Sequence, residues 1–364
     1  MRIAIRLDAT AAIGLGHLKR CLALAHAMHA LHPDRALVRF IGHFDSASAS
    51  DLISSNGFAC DALPAVSALP DGESHDALHT VTLLQPWQPD VIVVDHYALS
   101  APWHRAVRAG LCTASGKHPA IVVIDDLADR PLAPDLLIDH NPAPDHRAKY
   151  SHVLAENVPL CGGHAYALID AVYAQHAHAV HHVKVQTIGI FMGGTDPHAH
   201  TAWVLQVLRQ QIGWTGHVIM VTTSANPLWP TLAALARQDG AAELWRDLPH
   251  LADFHALCDL QIGAGGGAQW ERCCLGVPTV ALTCAPNQVS TVSSLTQAGI
   301  VQGLDAIDKT DTQAQALADI LLRLIDAPAE RALMRARSLD LIDGHGAQRA
   351  ADAVLSLVTH KDLP

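Results

Sequence analysis

Hydrophobic positions in the first half of the chain fall into short unbroken runs, separated by stretches with helical spacing. The runs Arg2–Leu7, Ala36–Ile41, Val91–Asp95, Ala120–Ile124 and Leu136–Asp139 predict strands. Leu18, Cys21, Leu22, Ala25, Met28 and Leu31 follow helical spacing and predict a helix after the first strand. Strands that are apolar along their whole length bury both faces, which predicts parallel sheets covered by helices on each side. The stretch Ala171–Val183, AVYAQHAHAVHHV, breaks the pattern and reads as a linker. The alternation then restarts with a strand at Thr187–Met192, the glycines Gly193 and Gly194, and a helix from His200 to Gln211. Further strands are predicted at Val218–Val221, Leu260–Ile262 and Thr279–Leu282, followed by C-terminal helices. The expected fold class is α/β, with two Rossmann-like doubly wound domains facing one another across a cleft. Their expected bounds are 1–175 and 184–364. Whether the last helix crosses back onto the first domain is left open.

Candidate chemistry concentrates in residues 262–288, IGAGGGAQWERCCLGVPTVALTCAPNQ. The strand ends in Gly265–Gly267, and Gln269–Leu275 predicts a short helix closed by Gly276 and Pro278. A strand, a glycine turn and a helix start direct backbone N–H groups at an anion. Glu271, one turn inside that helix, is placed to reach ribose hydroxyls beside a bound diphosphate. Glycine-rich turns are often purely structural. Glu271 and the polar pair Asn287–Gln288 after the next strand favour a nucleotide-sugar site. Gly193 and Gly194, after the first strand of that half, are counted among the substrate-binding candidates.

The first strand of the chain runs into Asp8, then Gly14, Gly16 and His17 at the start of the next helix. The positive end of a helix dipole favours a neutral imidazole, which is suited to take a proton from water. His17 is therefore the candidate base; capping the helix or packing on the loop is its structural alternative. Arg20 either neutralises substrate phosphate or pairs with a surface carboxylate. Asp8 orients His17, binds a sugar hydroxyl, or only closes the strand. Asp95, His96 and Tyr97, where the predicted strand Val91–Asp95 ends, line a sugar pocket or serve loop hydrogen bonding. Asp125–Asp126 is a conceivable metal pair or a turn cap. His176, His178, His181 and His182 lack carboxylate or cysteine partners at ligand spacing, which favours a solvated linker. No metal site and no cofactor are expected.

Composition narrows the function classes. A chain of 364 residues, 50% hydrophobic but only 4% aromatic, suits two domains with aliphatic cores. A net charge of −11 argues against a nucleic-acid partner, though local N–H groups can still hold a nucleotide. No apolar run reaches the ~18 residues of a membrane span. Charges at Arg6 and Asp8 make the N-terminus read as a strand, not a signal peptide. Eight scattered cysteines without a C-x-x-C pair read as reduced, and adjacent Cys273–Cys274 as packing residues. The expectation is a cytoplasmic monomer with a small-molecule partner, a UDP-sugar, and neither nucleic acid nor membrane.

Several blocks in order, RLDATAAIGLGHLKRCLALA, VVDHYAL, VIDDLADRP, FMGGTDP and IGAGGGAQWERCCLGVP with the trailing NQ, carry a resemblance. Together the chain resembles the UDP-2,4-diacetamido-2,4,6-trideoxy-β-L-altropyranose hydrolases of pseudaminic acid biosynthesis. Homologues of these are often labelled spore-coat polysaccharide proteins. The resemblance implies a glycosyltransferase-B-like fold and metal-free hydrolysis of a UDP-sugar at its C1–O bond. It implies His17 as the base, and Gly265, Gly266, Glu271, Asn287 and Gln288 as the uridine-diphosphate site. Two departures stand out. Asp170 stands where the family usually has an arginine after Tyr166–Ile169, and Gly267-Ala268-Gln269 replaces a serine-rich turn. The alternative function is a glycosyltransferase of the same fold that uses a UDP-amino sugar.

Overall fold

In the computed structural model, which describes residues 1–10, 13–44, 47–65, 71–176 and 183–359, the chain divides into two units. Unit 1 is Met1–Ala171 with the chain from His345 onward; unit 2 is Val172–Gly344.

Unit 1 contains β1 (Arg2–Leu7), β2 (Leu37–Gly42), β3 (Ala59–Ala62), β4 (Val91–Asp95), β5 (Ala120–Ile124), β6 (Leu136–Asp139) and β7 (Leu160–Gly162). They pair in parallel throughout, in the order β3-β2-β1-β4-β5-β6-β7. Successive residues of a strand point to opposite faces. Ile3, Ile5 and Leu7 accordingly pack with Leu18, Cys21 and Leu24 of the helix Gly16–Leu31. Ala4, Ile92 and Val94 pack on the other face with Ala77, Leu84, Trp103 and Val107 of the helices Gly72–Leu84 and Ala101–Gly110. Both faces are covered, as the apolar runs require.

The last helix, Gly346–Thr359, closes the first of these layers. Ala350, Ala351, Val354 and Leu355 join the cluster around Leu18 and Leu24, against the helix Gly16–Leu31. Burying Val354 and Leu355 is worth about 1.5–3 kcal/mol each. A Cβ on Gly346 would lie 2.4 Å from the Ala167 backbone, so glycine permits this close approach. Residues from 345 onward, placed with the second domain by the sequence, therefore belong to the first.

Unit 2 contains β8 (Thr187–Phe191), β9 (His217–Thr222), β10 (Ala242–Arg246), β11 (Leu260–Ala264), β12 (Thr279–Thr283) and β13 (Gln302–Asp305). They are parallel and ordered β10-β9-β8-β11-β12-β13. Each sheet thus reverses its winding once, at β1/β4 in unit 1 and at β8/β11 in unit 2. Beyond the carboxyl ends of strands at such a reversal, doubly wound sheets bind their ligands.

The expected linker is partly ordered. Val172–His176 is a short helix of unit 2, and the Tyr173 hydroxyl accepts a hydrogen bond from Leu251 N at 3.2 Å. His176 Nε2 lies 3.2 Å from Asp253 Oδ1; His178, His181 and His182 lie outside the described residues. Among the described residues, no helix is long and apolar enough to cross a membrane.

Candidate functional site

At the β1/β4 reversal of unit 1, Asp95 ends β4 with its side chain fully buried. Its carboxylate accepts from His17 Nδ1 at 2.6 Å, and from Arg20 Nε and Nη2 at 2.6 and 2.5 Å. A carboxylate only accepts, so Nδ1 carries the proton and Nε2 is the nitrogen left for chemistry. The 3.1 Å approach of Arg20 Nη2 to Nδ1 follows from both groups binding the same Oδ1. Burial opposes ionisation of Asp95, but the charge of Arg20 and the hydrogen bonds from Arg20 and His17 outweigh it and hold the carboxyl far below its ordinary range. His17 and Arg20 occupy the first turns of the helix Gly16–Leu31, one turn apart, which brings both to one carboxylate. Gly14 reaches this start with φ +79°, a left-handed conformation that glycine adopts freely.

The Tyr97 ring meets His17 edge to face at 4.8 Å between centroids. Burial and the nearby Asp126 charge push the pKa of its hydroxyl up. Asp126 Oδ2 also accepts from Asn141 Nδ2 at 3.1 Å, while its Oδ1 is buried without a hydrogen-bond partner among the described residues. Asp8 does not orient His17. Its carboxylate takes Arg6, the His43 N–H at 2.9 Å and His96 Nε2 at 3.0 Å. Arg6, wholly buried, is also held by Asp76, with Nη2 to Oδ2 at 2.6 Å. Arg20 pairs with a carboxylate, but a buried one and not the surface partner the sequence suggested. Asp125 is a turn cap that accepts from Ala128 N at 2.8 Å and Arg130 Nη1 at 2.7 Å. Among the described residues, no group of three or more His, Cys, Asp or Glu side chains is placed to hold a metal ion.

At the β8/β11 reversal of unit 2, the glycine loop leads from β11 into the helix Ala268–Leu275. Gly265 N donates to Leu282 O at 2.9 Å, so this N–H is not free for an anion as the sequence suggested. A Cβ there would stand 2.2 Å from Val292, so the residue is a packing glycine. Gly266, Gly267 and Ala268 have N–H groups that meet no protein acceptor among the described residues. Gln288 accepts Cys284 N at 2.9 Å through Oε1, and its Nε2 faces Gly266. Asn287 is exposed beside it, in the helical turn Pro286–Gln288. Glu271, in the first turn of its helix, sets Oε2 3.4 Å from Nε2 of the fully buried His255. Gly193 (φ +91°) and Gly194 follow β8 on the other side of the reversal. The Gly194 carbonyl is held by Thr223 Oγ1 at 2.8 Å. In the same loop, Asp196 caps the helix His200–Gln206 by accepting His200 N at 2.9 Å and Thr201 N at 2.8 Å.

The two units with these strand orders have known counterparts. MurG from Acinetobacter baumannii is 12% identical, with 98% of this chain and 99% of that one covered, at a TM-score of 0.66. MnaA from S. aureus, solved with UDP, is 16% identical, with 98% of each chain covered and a TM-score of 0.63. The calicheamicin glycosyltransferase CalG4 is 14% identical over 100% of both chains, at 0.62. The fold is glycosyltransferase-B-like. No protein-family model matches the chain, and no curated protein matches its sequence. At these identities the likeness speaks for the fold. Within that fold, the sequence did not reveal three pairings: Asp95 with His17, Asp126 with Asn141, and His255 with Glu271. Asp95 and Asp126 both stand where a strand runs out at its carboxyl edge, a position legible in the sequence, but their partners there are not.

Proposed function

We propose that the protein is an enzyme that breaks the C1–O bond of a UDP-linked amino sugar. Unit 2 holds the diphosphate and ribose; unit 1 supplies the base. The observation that carries this reading is the His17–Asp95 pair, with its Nδ1–H committed to a buried carboxylate and Nε2 left to accept a proton. His17 Nε2 takes the proton of an attacking O–H, whose oxygen bonds to C1. The C1–O electrons leave with UDP. The loop N–H groups of Gly266, Gly267 and Ala268 oppose the charge that develops on the departing diphosphate. Asp95 stabilises the imidazolium that forms.

The finer proposal is that the O–H is water and the substrate a UDP-2,4-diacetamido-2,4,6-trideoxy sugar, the reading supported by the ordered sequence blocks. Transfer to an acceptor hydroxyl is the second reading. The fold neighbours favour it, since CalG4 is described as a glycosyltransferase. Incubation of the purified protein with the UDP-sugar and no acceptor separates the two. Prompt release of UDP and free sugar supports hydrolysis; turnover only after an acceptor is added supports transfer. His17→Ala is expected to keep UDP binding and to lose about 10²–10⁴-fold in turnover. Unchanged kcat in that variant removes the assignment of the base.

A further inference from the structure

Arg272 lies on the helix that follows the glycine loop, and its side chain is fully buried. The buried arginines of unit 1 are neutralised, Arg6 by Asp8 and Asp76, and Arg20 by Asp95. Arg272 is not. Its Nη2 donates to the Ala264 carbonyl at 2.7 Å and to Gln269 Oε1 at 2.8 Å. Its Nε and Nη1 have no hydrogen-bond partner among the described residues, and the neighbouring Glu271 sets its Oε2 beside His255 instead. A buried cation without a counter-charge is costly, and a protein that keeps one is expected to use it.

The position of the guanidinium suggests its use. A Cβ on Gly263 would stand 2.3 Å from Arg272 Nη1 and 3.0 Å from the Phe191 carbonyl. Gly263 of β11 is paired with Phe191 of β8, across the strand reversal. The charge therefore sits over the seam between those two strands, in the space left by a missing side chain. Beyond this seam the strands lead into Gly193–Gly194 and Gly265–Gly267. Burial pulls the guanidinium pKa down to about 10, outweighing the opposing influence of Cys273 and Glu271.

We propose that Arg272 is the counter-charge for a nucleoside diphosphate in the glycine loop, a positioning residue that acts from beneath the loop without touching the ligand. The inference rests on the nucleotide-site reading above and adds the source of its positive potential. The loop N–H groups orient the phosphates; the buried guanidinium supplies the net charge that a neutral backbone lacks. Ala264, held by Arg272, is two residues from Gly266, a span of about 7 Å along the chain. A unit charge within about 10 Å of the loop, in a partly screened interior, is worth roughly ten- to hundred-fold in affinity for a diphosphate.

The test is equilibrium titration of UDP and of uridine against the wild-type protein, Arg272→Met, Arg272→Lys and Gly263→Ala. Arg272→Met is expected to weaken UDP roughly ten- to hundred-fold and uridine less than about two-fold. Arg272→Lys, which keeps the charge, is expected to restore most of the preference for UDP over uridine. Gly263→Ala keeps the arginine but displaces it, and is expected to weaken UDP selectively, so the test survives if Arg272→Met fails to fold. Equal losses for UDP and uridine in both the Met and Ala variants would mark a structural role and overturn the inference. So would unchanged UDP affinity in a folded Arg272→Met. A wild-type protein that binds no UDP overturns the nucleotide reading and this inference with it.

Discussion

Replacing Asp95 by Asn tests the base most directly, because it changes one charge and almost no volume. The carboxylate accepts three short hydrogen bonds, one from His17 and two from Arg20. The amide offers one acceptor oxygen and turns a donor nitrogen toward groups that are themselves donors. His17 then loses both its fixed tautomer and the charge that stabilises its protonated form. Comparable loss of a histidine's carboxylate partner costs about 10⁴-fold in turnover, near 5.5 kcal/mol. Arg20, part-buried, keeps the Asp126 carboxylate at 3.8 Å but loses its hydrogen bonds to a charged acceptor, which costs about 1.5–3 kcal/mol of stability. The double variant Arg20→Met/Asp95→Asn removes the unmatched donors and is expected to regain most of that stability without regaining turnover. The assay is kcat for UDP release on the wild-type substrate, with UDP affinity and the denaturant midpoint measured on the same samples. Affinity for UDP is expected to stay within a few-fold of wild type. A folded Asp95→Asn protein with kcat within about ten-fold of wild type would refute the dyad. A loss of UDP affinity that matches the loss of kcat would refute the division of labour between the units.

Two further expectations concern stability. Gly265→Ala drives a methyl against β-branched Val292 and should cost about 1–3 kcal/mol. Gly267→Ala, with nothing within 4 Å and helical backbone angles, should leave the midpoint within about 0.5 kcal/mol of wild type. Thermal or urea denaturation of both variants checks the contrast. Burial, aided by the positive charge of Arg20, pulls His140 down to about 3, and burial with Arg130 does the same for His104. The folded state therefore binds fewer protons than the unfolded chain below the ordinary histidine pKa. The stability from these two groups is complete above about pH 6.5 and is lost as pH falls toward 3. Denaturant midpoints at pH 7, 5 and 4 should fall, and His140→Leu should flatten the decline; an unchanged slope in that variant would refute the assignment.

The interior strands were legible because they are apolar on both faces. β1, β4, β5 and β6 match their expected bounds, and β2 is shifted by one residue. β3, β7, β10 and β13 were not read at all, and these four are the edges of the two sheets. An edge strand is held by a neighbour on one side only and has less to bury; Ala59–Ala62 and Ala242–Arg246 show no fully buried position. The glycine loop and His17 could be found as local motifs. Asp95 lies 78 residues from His17, and only the β1/β4 pairing brings them together. Arg272 was hidden for a different reason. An arginine on a short helix reads as a solvated charge until the fold buries it, and Gly263 reads as part of the loop until its pairing with Phe191 places it over the seam.

The return of the helix Gly346–Thr359 to the layer begun by β1 has a consequence for synthesis. As the polypeptide leaves the ribosome, the groove along the helix Gly16–Leu31 stays open while all of unit 2 is made and folds. Vectorial folding, in which an early domain finishes before a later one starts, is therefore denied to unit 1. Its nascent form lacks the part of its apolar cluster that Ala350, Val354 and Leu355 supply, and those residues are the latch that completes it.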